Sequence, residues 1–516
     1  MDKHFNLLDE QWLPVRYADG KTREVGLIDL FKHASEIESL AEASPVSLVA
    51  LHRVLLAIVH RALTLKYGRW VDADRVRWFR EGLPAEAIID YLEKFRERFW
   101  LFHPELPFMQ VAALAHEEET KDKIKSWTQI SLGNASGASP TVFDHSLDSA
   151  PTAIAPAEAL RLLLGFLQFT PGGLVKVLRS SDKAGPLANT AAVLPCGDVL
   201  HQTLSLCLHQ PESVDDPPAW EVPAISLLQL KAGALLSSGV NDRYTRLSRA
   251  VLLHRDDDGA VRHLRFAAGL GMEEDPNAPD PMTSFRVGLN GLVRLGLSEG
   301  RAFWRDLPTL LPPVGAQSAK AAAVIAWATG LRADLGVSGD MQGLIVAGLA
   351  SDKAKLQRWR MERVVLPAEL LLHPEAARIL VVLLQEAEET HRQLRRIGAQ
   401  AMAMMMADAA NKETLADARA RVDAGGFNGR FFARLEQALP LAMSQIAHGE
   451  AEEAYQQWRG VQAKAVVLYW DLLTTNLGAT PAAWRAEAKC RFKLAILLSQ
   501  LNGVGVKSES TQEVNA

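Results

Sequence analysis

The final part of the chain carries the pattern that most restricts its fold. Four amphipathic segments can be drawn there, at residues 374–407, 428–447, 450–476 and 481–501. The breaks between them fall at Gly425 and Gly426, at His448 and Gly449, and at Gly478 with Pro481. Apolar side chains that recur every three to four residues mark one face of a helix, and glycine and proline end helices. The pattern predicts a four-helix bundle over residues 374–502.

The residues before this bundle mix strand and helix patterns. Residues 7–15 and 25–28, joined by a turn at 18–21, predict a β-hairpin. Ser44 and Pro45 predict the cap and first turn of a strongly apolar helix. A chain of 516 residues also exceeds what one hydrophobic core usually organises, which indicates at least two domains.

These patterns predict an α+β fold with two domains and a tail. A large mixed α/β amino-terminal domain is predicted at residues 1–370, followed by the carboxy-terminal four-helix bundle at 374–502. Residues 503–516 (GVGVKSESTQEVNA) lack aromatic side chains and apolar periodicity, so this tail is predicted to be disordered.

Cysteine usage and hydropathy indicate the compartment. Cys196, Cys207 and Cys490 are odd in number, widely spaced and without a CxxC pair, which favours reduced thiols and argues against a structural zinc. No segment is expected to approach the roughly 20 apolar residues that a membrane span needs. We therefore expect a cytoplasmic protein with no metal, no cofactor and no membrane partner.

Charge limits the ways in which this chain could bind nucleic acid. The formal net charge is -5, whereas broad neutralisation of phosphates needs a basic surface. Any contact with DNA or RNA must then use local loops, or occur within an assembly whose other members carry the positive charge.

One basic stretch is a local candidate for phosphate contact. It contains Lys353, Lys355, Arg358, Arg360 and Arg363. Clustered cations raise the local potential and attract phosphates. The more frequent explanation of such a run is a solvated helix face, and the residues alone leave both interpretations open.

Common catalytic signatures are absent. Gly20, Lys21 and Thr22 end like a phosphate-binding loop, but Val15 occupies the position where that loop needs glycine. Asp144 and His145 are followed by a serine, yet sequence neighbours rarely meet in triad geometry. We predict that the chain has no catalytic residues.

Two alternatives stay open at this point. A cytosolic hydrolase would need His103, Asp144 and His145 to converge in one pocket with perturbed protonation. A helical scaffold would make no direct contact with nucleic acid and would use the bundle alone as its interaction surface.

Two spaced motifs carry a resemblance to a known family. Residues 6–15 (NLLDEQWLPV) resemble the characteristic start of CasA proteins, and residues 103–110 (HPELPFMQ) are similar to their H-x-x-x-P-F-M-Q motif. Both motifs, a loop after an apolar helix and the carboxy-terminal bundle follow the family's order across nearly the whole chain. The chain thus resembles the CasA family, the large subunit of the type I-E CRISPR surveillance complex Cascade.

The resemblance implies a non-catalytic binding subunit in antiviral defence. Such a subunit helps to hold the guide RNA (crRNA), inspects double-stranded target DNA for a short protospacer-adjacent motif (PAM) and helps to open the duplex. Its implied partners are the other Cascade subunits, crRNA, target DNA and a helicase-nuclease that is recruited after DNA has been bound. Sequence specificity would belong mainly to base pairing by the RNA.

Residues 141–145 (TVFDH) resemble the family loop that reaches the 5′ handle of the crRNA. The resemblance implies that Phe143 meets an unstacked base there, with Asp144 and His145 in the same contact. In the alternative interpretation, Phe143 is a hydrophobic plug that pins the loop to its own domain.

Two further segments resemble the family's DNA-contacting elements. Gly172 and Gly173 are similar to a glycine loop that approaches the minor groove of the PAM, since a missing Cβ allows close approach. A plain helix C-cap is the structural alternative. Residues 348–354 resemble a hairpin that wedges between base pairs beside the PAM, with Asp352 and Lys353 at its tip where several relatives carry amides.

Overall fold

The protein is described by a computed structural model whose contacts divide the chain into two compact units. Unit 1 comprises Met1–Phe303 with Gly315–Ala368, and unit 2 comprises Trp304–Val314 with Glu369–Ala516. The described residues are 3–133, 149–173, 175, 177–213, 215–315, 318–336, 341–352 and 355–502, with the backbone alone at 350–352 and 355–358. The predicted tail at 503–516 therefore lies outside the described residues.

Unit 1 combines strands and helices. Its strands are β1 (His4–Asn6), β2 (Leu13–Tyr17), β3 (Thr22–Val25), β4 (Ile37–Leu40), β5 (Trp100–Phe102), β6 (Ile124–Ser126), β7 (Ala192–Cys196), β8 (Arg249–Arg255), β9 (Val261–Ala268), β10 (Phe285–Gly288), β11 (Gly291–Arg294), β12 (Met341–Asp352) and β13 (Lys355–Pro367). Its helices are α1 (Leu27–Lys32), α2 (Pro45–Tyr67), α3 (Asp72–Glu81), α4 (Ala85–Lys94), α5 (Pro156–Phe169), α6 (Leu200–Cys207), α7 (Leu227–Lys231), α8 (Val240–Thr245) and α9 (Ala323–Leu335).

The strands of unit 1 form small antiparallel sheets. Three-stranded sheets have the orders β13-β12-β7, β3-β2-β4 and β6-β9-β8, and two-stranded sheets pair β1 with β5 and β10 with β11. The predicted amino-terminal hairpin is the β2–β3 pair, in which Leu13 lies opposite Val25. Leu13 and Val15 are fully buried, so the alternating residues of β2 face the core as the pattern required.

Helix α2 is a central core element of unit 1. Ser44 caps it by accepting a hydrogen bond from the Ser47 backbone N–H at 3.3 Å, and Pro45 is its first residue. Every residue from 46 to 64 is buried. By length and apolar character α2 could cross a membrane, so the prediction that no segment comes close was wrong. Its whole apolar window is nevertheless buried inside the protein, as in the core helix of a globular domain.

Unit 2 is helical. Its helices are α10 (Ala368–Leu372), which begins at the boundary, α11 (Pro374–Ala403), α12 (Lys412–Ala424), α13 (Phe427–Ala447), α14 (Ala451–Leu477) and α15 (Pro481–Leu501). The four long helices α11, α13, α14 and α15 correspond to the four predicted segments. Helix α12 was not predicted, because it buries only Ala418 and Val422 and so has little apolar periodicity.

A short segment of the chain, Trp304–Val314, belongs to unit 2, although the predicted amino-terminal domain at residues 1–370 includes it. It contains most of a 3-10 helix, Phe303–Thr309. The Trp304 ring packs edge-on against Phe432 and Trp458 with centroids 6.1 and 6.4 Å apart. The predicted α+β fold, with a large mixed domain followed by a helical bundle, is confirmed.

Candidate nucleic-acid interface

The longest strands of unit 1 form a β-hairpin. Strands β12 and β13 pair from Met341 opposite Pro367 to Asp352 opposite Lys355, with a register shift at Ala350 and Ser351. Strand β7 pairs with β12 over residues 343–347 only. The β12–β13 ladder therefore continues for five residues beyond the β7 ladder, about 17 Å at the usual rise of a strand. Asp352 ends the first strand, and Lys353 lies outside the described residues.

Side chains on β13 attach this hairpin to the preceding residues 298–303 of unit 1. The Arg360 guanidinium donates to the backbone oxygens of Ser298 at 3.0 Å and Arg301 at 2.7 Å. Glu362 forms an ion pair with Arg360 and accepts from the Phe303 backbone N–H at 3.2 Å. One face of β13 is thereby fixed to residues 298–303.

The basic stretch lies in this strand, so its interpretation as a solvated helix face was wrong. Successive side chains of a strand point to opposite faces, which separates Arg360 from Arg363. Arg360 is engaged with backbone carbonyls, whereas Arg363 is exposed. These two cations therefore do not form one continuous basic surface.

The glycine segment follows helix α5. The helix ends at Phe169 and its C-cap is Thr170, with φ of -58° and ψ of 131°, so the alternative that the glycines form the helix C-cap is wrong. Gly173 has φ of +148° and exchanges two backbone hydrogen bonds with Asp182, at 3.1 and 2.8 Å. Among the described residues none forms a hydrogen bond with the Gly172 backbone. Gly173 thus supplies an unusual backbone conformation. The exposed Gly172 packs closely on the protein itself, since a Cβ there would lie 3.1 Å from the Ala184 backbone nitrogen.

A buried ion pair holds the base of the glycine segment. The fully buried Asp182 carboxylate accepts from the Gly269 N–H at 2.7 Å and forms an ion pair with the Arg249 guanidinium at 3.1 Å. Arg249 also donates to the Pro171 carbonyl at 2.6 Å. Burial lowers the pKa of Arg249, and the Asp182 charge offsets part of that effect. The guanidinium therefore acts inside the fold, where it fixes the chain just before Gly172.

An exposed cation that no sequence pattern indicated lies beside this segment. Lys183 follows Asp182 directly, and its side chain is 54% exposed. Its ammonium lies 3.1 Å from Glu273, but exposed ion pairs contribute little and exchange readily with other anions. The pairing of Gly173 with Asp182 places Lys183 beside the glycine segment. No local sequence pattern predicts that pairing.

The predicted crRNA-contacting residues Phe143, Asp144 and His145 lie outside the described residues. The described chain before them ends at Gly133, next to the β12–β13 hairpin. There the Trp359 indole N–H donates to the Leu132 carbonyl at 3.0 Å.

His103 has a structural role. Its Nδ1 atom accepts hydrogen bonds from the backbone N–H groups of Glu105 at 3.0 Å and Leu106 at 2.8 Å. Desolvation is the main cause that lowers its pKa, so the ring is neutral near pH 7. A lone pair that closes a turn is not available as a general base, so the hydrolase alternative gains no support from His103.

Both sequence motifs build the core. The Trp12 indole donates to the Leu7 carbonyl at 3.0 Å, and both residues are fully buried. The Gln110 amide donates to the Leu101 carbonyl at 2.7 Å and accepts from the Leu253 N–H at 2.8 Å. Side chains of both motifs therefore satisfy buried backbone hydrogen-bonding groups. Both motifs lie far from the glycine segment in the sequence.

The described cysteines and acidic groups show no metal chemistry. Burial raises the pKa of Cys196 to about 11, so this thiol stays protonated at neutral pH. Within the described ranges, no group of three or more His, Cys, Asp or Glu side chains is arranged to hold a metal ion.

Comparison with known proteins decides the family. The family model for CRISPR-associated protein Cse1 matches residues 6–468. The chain is 34% identical over 510 residues to the CRISPR-associated protein CasA/Cse1 of Thermus thermophilus, covering 96% of this chain and 98% of that protein. The chain belongs to the Cse1/CasA family. The family resemblance in the two motifs is thereby confirmed.

Solved structures agree with the Cse1/CasA fold. A crystal structure of Thermus thermophilus CasA matches with a TM-score of 0.82 and 31% identity, covering 96% of this chain and all of that one. Thermobifida fusca Cse1 matches with a TM-score of 0.79 and 22% identity, over 97% and 99% of the two chains. A chain of a CRISPR RNA-guided surveillance complex matches with a TM-score of 0.74 and 22% identity, over 96% and 100%. At 22% identity the likeness concerns the fold alone.

Proposed function

We propose that this Cse1/CasA chain, as the large subunit of a type I-E CRISPR RNA-guided surveillance complex, recognises the PAM in double-stranded DNA and helps to open the duplex. It also contacts the 5′ handle of the crRNA and recruits a helicase-nuclease for antiviral defence. Its partners are the other Cascade subunits, crRNA and target DNA, and it acts in the cytoplasm without a catalytic site.

The observation that best supports this proposal is a pair of local elements in unit 1, the β12–β13 hairpin and the glycine segment. The β12–β13 hairpin continues beyond its neighbouring strand, which suits insertion beside a base pair. Gly172 and Gly173 are exposed, which suits a contact with the groove, and the exposed Lys183 beside them suits a phosphate. Local elements of this kind are what a chain with a net charge of -5 requires.

The proposed RNA contact is tested at Phe143. Replacing Phe143 by alanine removes the ring, so association with the guide-loaded complex should weaken by on the order of 1–3 kcal/mol, the usual size of base stacking on an aromatic ring. Phe143→Tyr is the matched control, because it keeps an aromatic face and should retain most of the affinity. Unchanged affinity of a folded Phe143→Ala variant at matched salt would show that Phe143 is an internal plug.

The proposed wedge is tested at Lys353. Opening is an almost balanced exchange of base pairs that small protein contacts can tip. Lys353→Ala should therefore slow the opening of a fully paired PAM duplex, and the defect should shrink on a target with a pre-opened bubble beside the PAM. Fluorescent base analogues report the opening rate on both targets.

The matched control is Lys353→Arg, which keeps the positive charge at the same position. It should open the paired duplex at close to the original rate if charge is what Lys353 contributes. An equal loss on paired and bubbled targets for Lys353→Ala would reduce Lys353 to an ordinary phosphate contact.

A further inference from the structure

Trp359 joins the β12–β13 hairpin to the chain at Leu132 and Gly133. On β13 it lies opposite Leu349, and its indole N–H donates to the Leu132 carbonyl at 3.0 Å. The six-membered part of the indole covers the neighbouring Gly133. A Cβ atom at Gly133 would lie only 2.5 Å from the indole Cζ2, closer than any real Cβ contact. The glycine at this position therefore permits the ring and the chain to touch.

The opposite face of the same strand is fixed as well. Adjacent residues of a strand point to opposite faces, so Trp359 and Arg360 act on different sides of the hairpin. Arg360 donates to the Ser298 and Arg301 carbonyls. Since β13 is held on both faces at one level, displacement of the Trp359 ring must be transmitted to the backbone of the hairpin.

We propose that Trp359 is a positioning residue that couples two functions. It connects the chain leaving Gly133, towards the segment proposed to contact crRNA, with the hairpin proposed to open DNA. The inference rests on the proposed function and adds one element to it. A change at Gly133 alters duplex opening, and a change at Trp359 alters association with the guide-loaded complex.

Each substitution is made on one side of the Trp359–Gly133 contact, and the function proposed for the other side is measured. Gly133→Ala pushes the indole away from its position, so the opening of a paired PAM duplex should slow about three- to tenfold, the equivalent of about one hydrogen bond. On a bubbled target the rate should be unchanged. Trp359→Phe removes the indole N–H and the outer part of the ring, so it should weaken association with the guide-loaded complex by a similar factor.

The double variant supplies a specific signature. Gly133→Ala combined with Trp359→Phe relieves the crowding, so its opening rate should equal or exceed that of Gly133→Ala alone. If the two substitutions acted independently, any slowing of opening by Trp359→Phe would add to that of Gly133→Ala, and the double variant would open the duplex more slowly than Gly133→Ala alone. Met361→Leu, an exposed residue on the same strand, is the matched control and should leave both measurements unchanged. Thermal unfolding of each variant confirms that the comparison is made between folded proteins.

Failure of the coupling is distinguishable from failure of the proposed function. If Phe143→Ala and Lys353→Ala show their defects but Gly133→Ala leaves opening unchanged and Trp359→Phe leaves association unchanged, the coupling is wrong and the function stands. If Phe143→Ala and Lys353→Ala have no effect, the proposed function itself is wrong.

Discussion

Gly173 fixes the conformation of the glycine segment through its pairing with Asp182. Its N–H and carbonyl are both engaged with Asp182, so these groups are not free for DNA. A Cβ at Gly173 would meet no atom within 4 Å, but φ of +148° is a conformation that side chains disfavour. Substitutions at Gly173 therefore change the backbone conformation and the local charge without creating a steric clash.

Three substitutions at Gly173 separate these effects. Alanine, asparagine and aspartate all incur the conformational cost, on the order of 1–3 kcal/mol. Only aspartate adds a negative charge near the proposed phosphates, so Gly173→Asp should weaken PAM-duplex binding more than Gly173→Asn. The difference should shrink at higher salt because screening weakens the repulsion. Binding of assembled complexes to PAM duplex at two salt concentrations measures both effects.

Assembly with guide RNA is the control for the Gly173 series. It should survive all three substitutions, because the glycine segment is proposed to read DNA. Equal binding by the aspartate and asparagine variants would exclude an electrostatic contribution. Loss of guide-RNA assembly would make the segment a scaffold.

At the scale of elements, helix α2 buries two histidines. The His52 ring donates through Nδ1 to the Leu48 carbonyl, 2.8 Å away, and burial lowers its pKa to about 4. His60 stacks on His209 with ring centroids 4.0 Å apart. Burial, with a smaller contribution from the Arg61 charge, lowers the pKa of His60 to about 3. Burial, His60 and Arg75 together lower that of His209.

This arrangement predicts acid lability of unit 1. Below the unfolded pKa of about 6.5, these histidines are protonated in the unfolded chain but stay neutral in the folded chain. The free energy of unfolding therefore decreases as the pH is lowered. The loss runs from about pH 6.5 down towards the folded pKa values of about 4 and about 3. Each histidine contributes about 1.4 kcal/mol per pH unit within this window. Urea midpoints at pH 7.5, 6.5 and 5.5 measure the slope.

A matched pair of variants identifies the cause. His52→Gln keeps a hydrogen-bond donor for Leu48 but cannot titrate, so its midpoint should fall less between pH 6.5 and 5.5 than that of the original protein. His116 is exposed, and His116→Gln should leave the slope unchanged. Identical slopes in all three proteins would exclude His52 as a cause of the acid sensitivity.

Elements with strong local patterns were predictable from the sequence. The apolar run after Ser44 indicated α2, and the glycine breaks separated the long helices of unit 2. Strand β5 lacks a strand pattern of its own, because only its distant pairing with β1 makes it a strand. The basic part of β13 favoured a helical interpretation for the same reason, since its partner β12 is what defines it.

At the scale of the whole molecule, the candidate site was predictable only in outline. The family resemblance indicated the glycine segment and the hairpin, because each resembles a short contiguous segment of the family sequence. The supporting contacts join residues far apart in the chain, as Trp359 and Leu132 do across 227 positions. No local pattern encodes such a contact, and Lys183 was missed on the same grounds.

The order of the chain through the two units has a consequence for synthesis. A ribosome makes Trp304–Val314 before residues 315–368 of unit 1 and before the long helices of unit 2. Leu307, Leu310 and Leu311 are buried in the finished protein. Until the helices emerge, these side chains lack the partners that will cover them, which is the kind of exposure that chaperones bind. Residues of β13 complete the β13-β12-β7 sheet of unit 1 before the long helices of unit 2 have been made, so unit 2 is the last to fold.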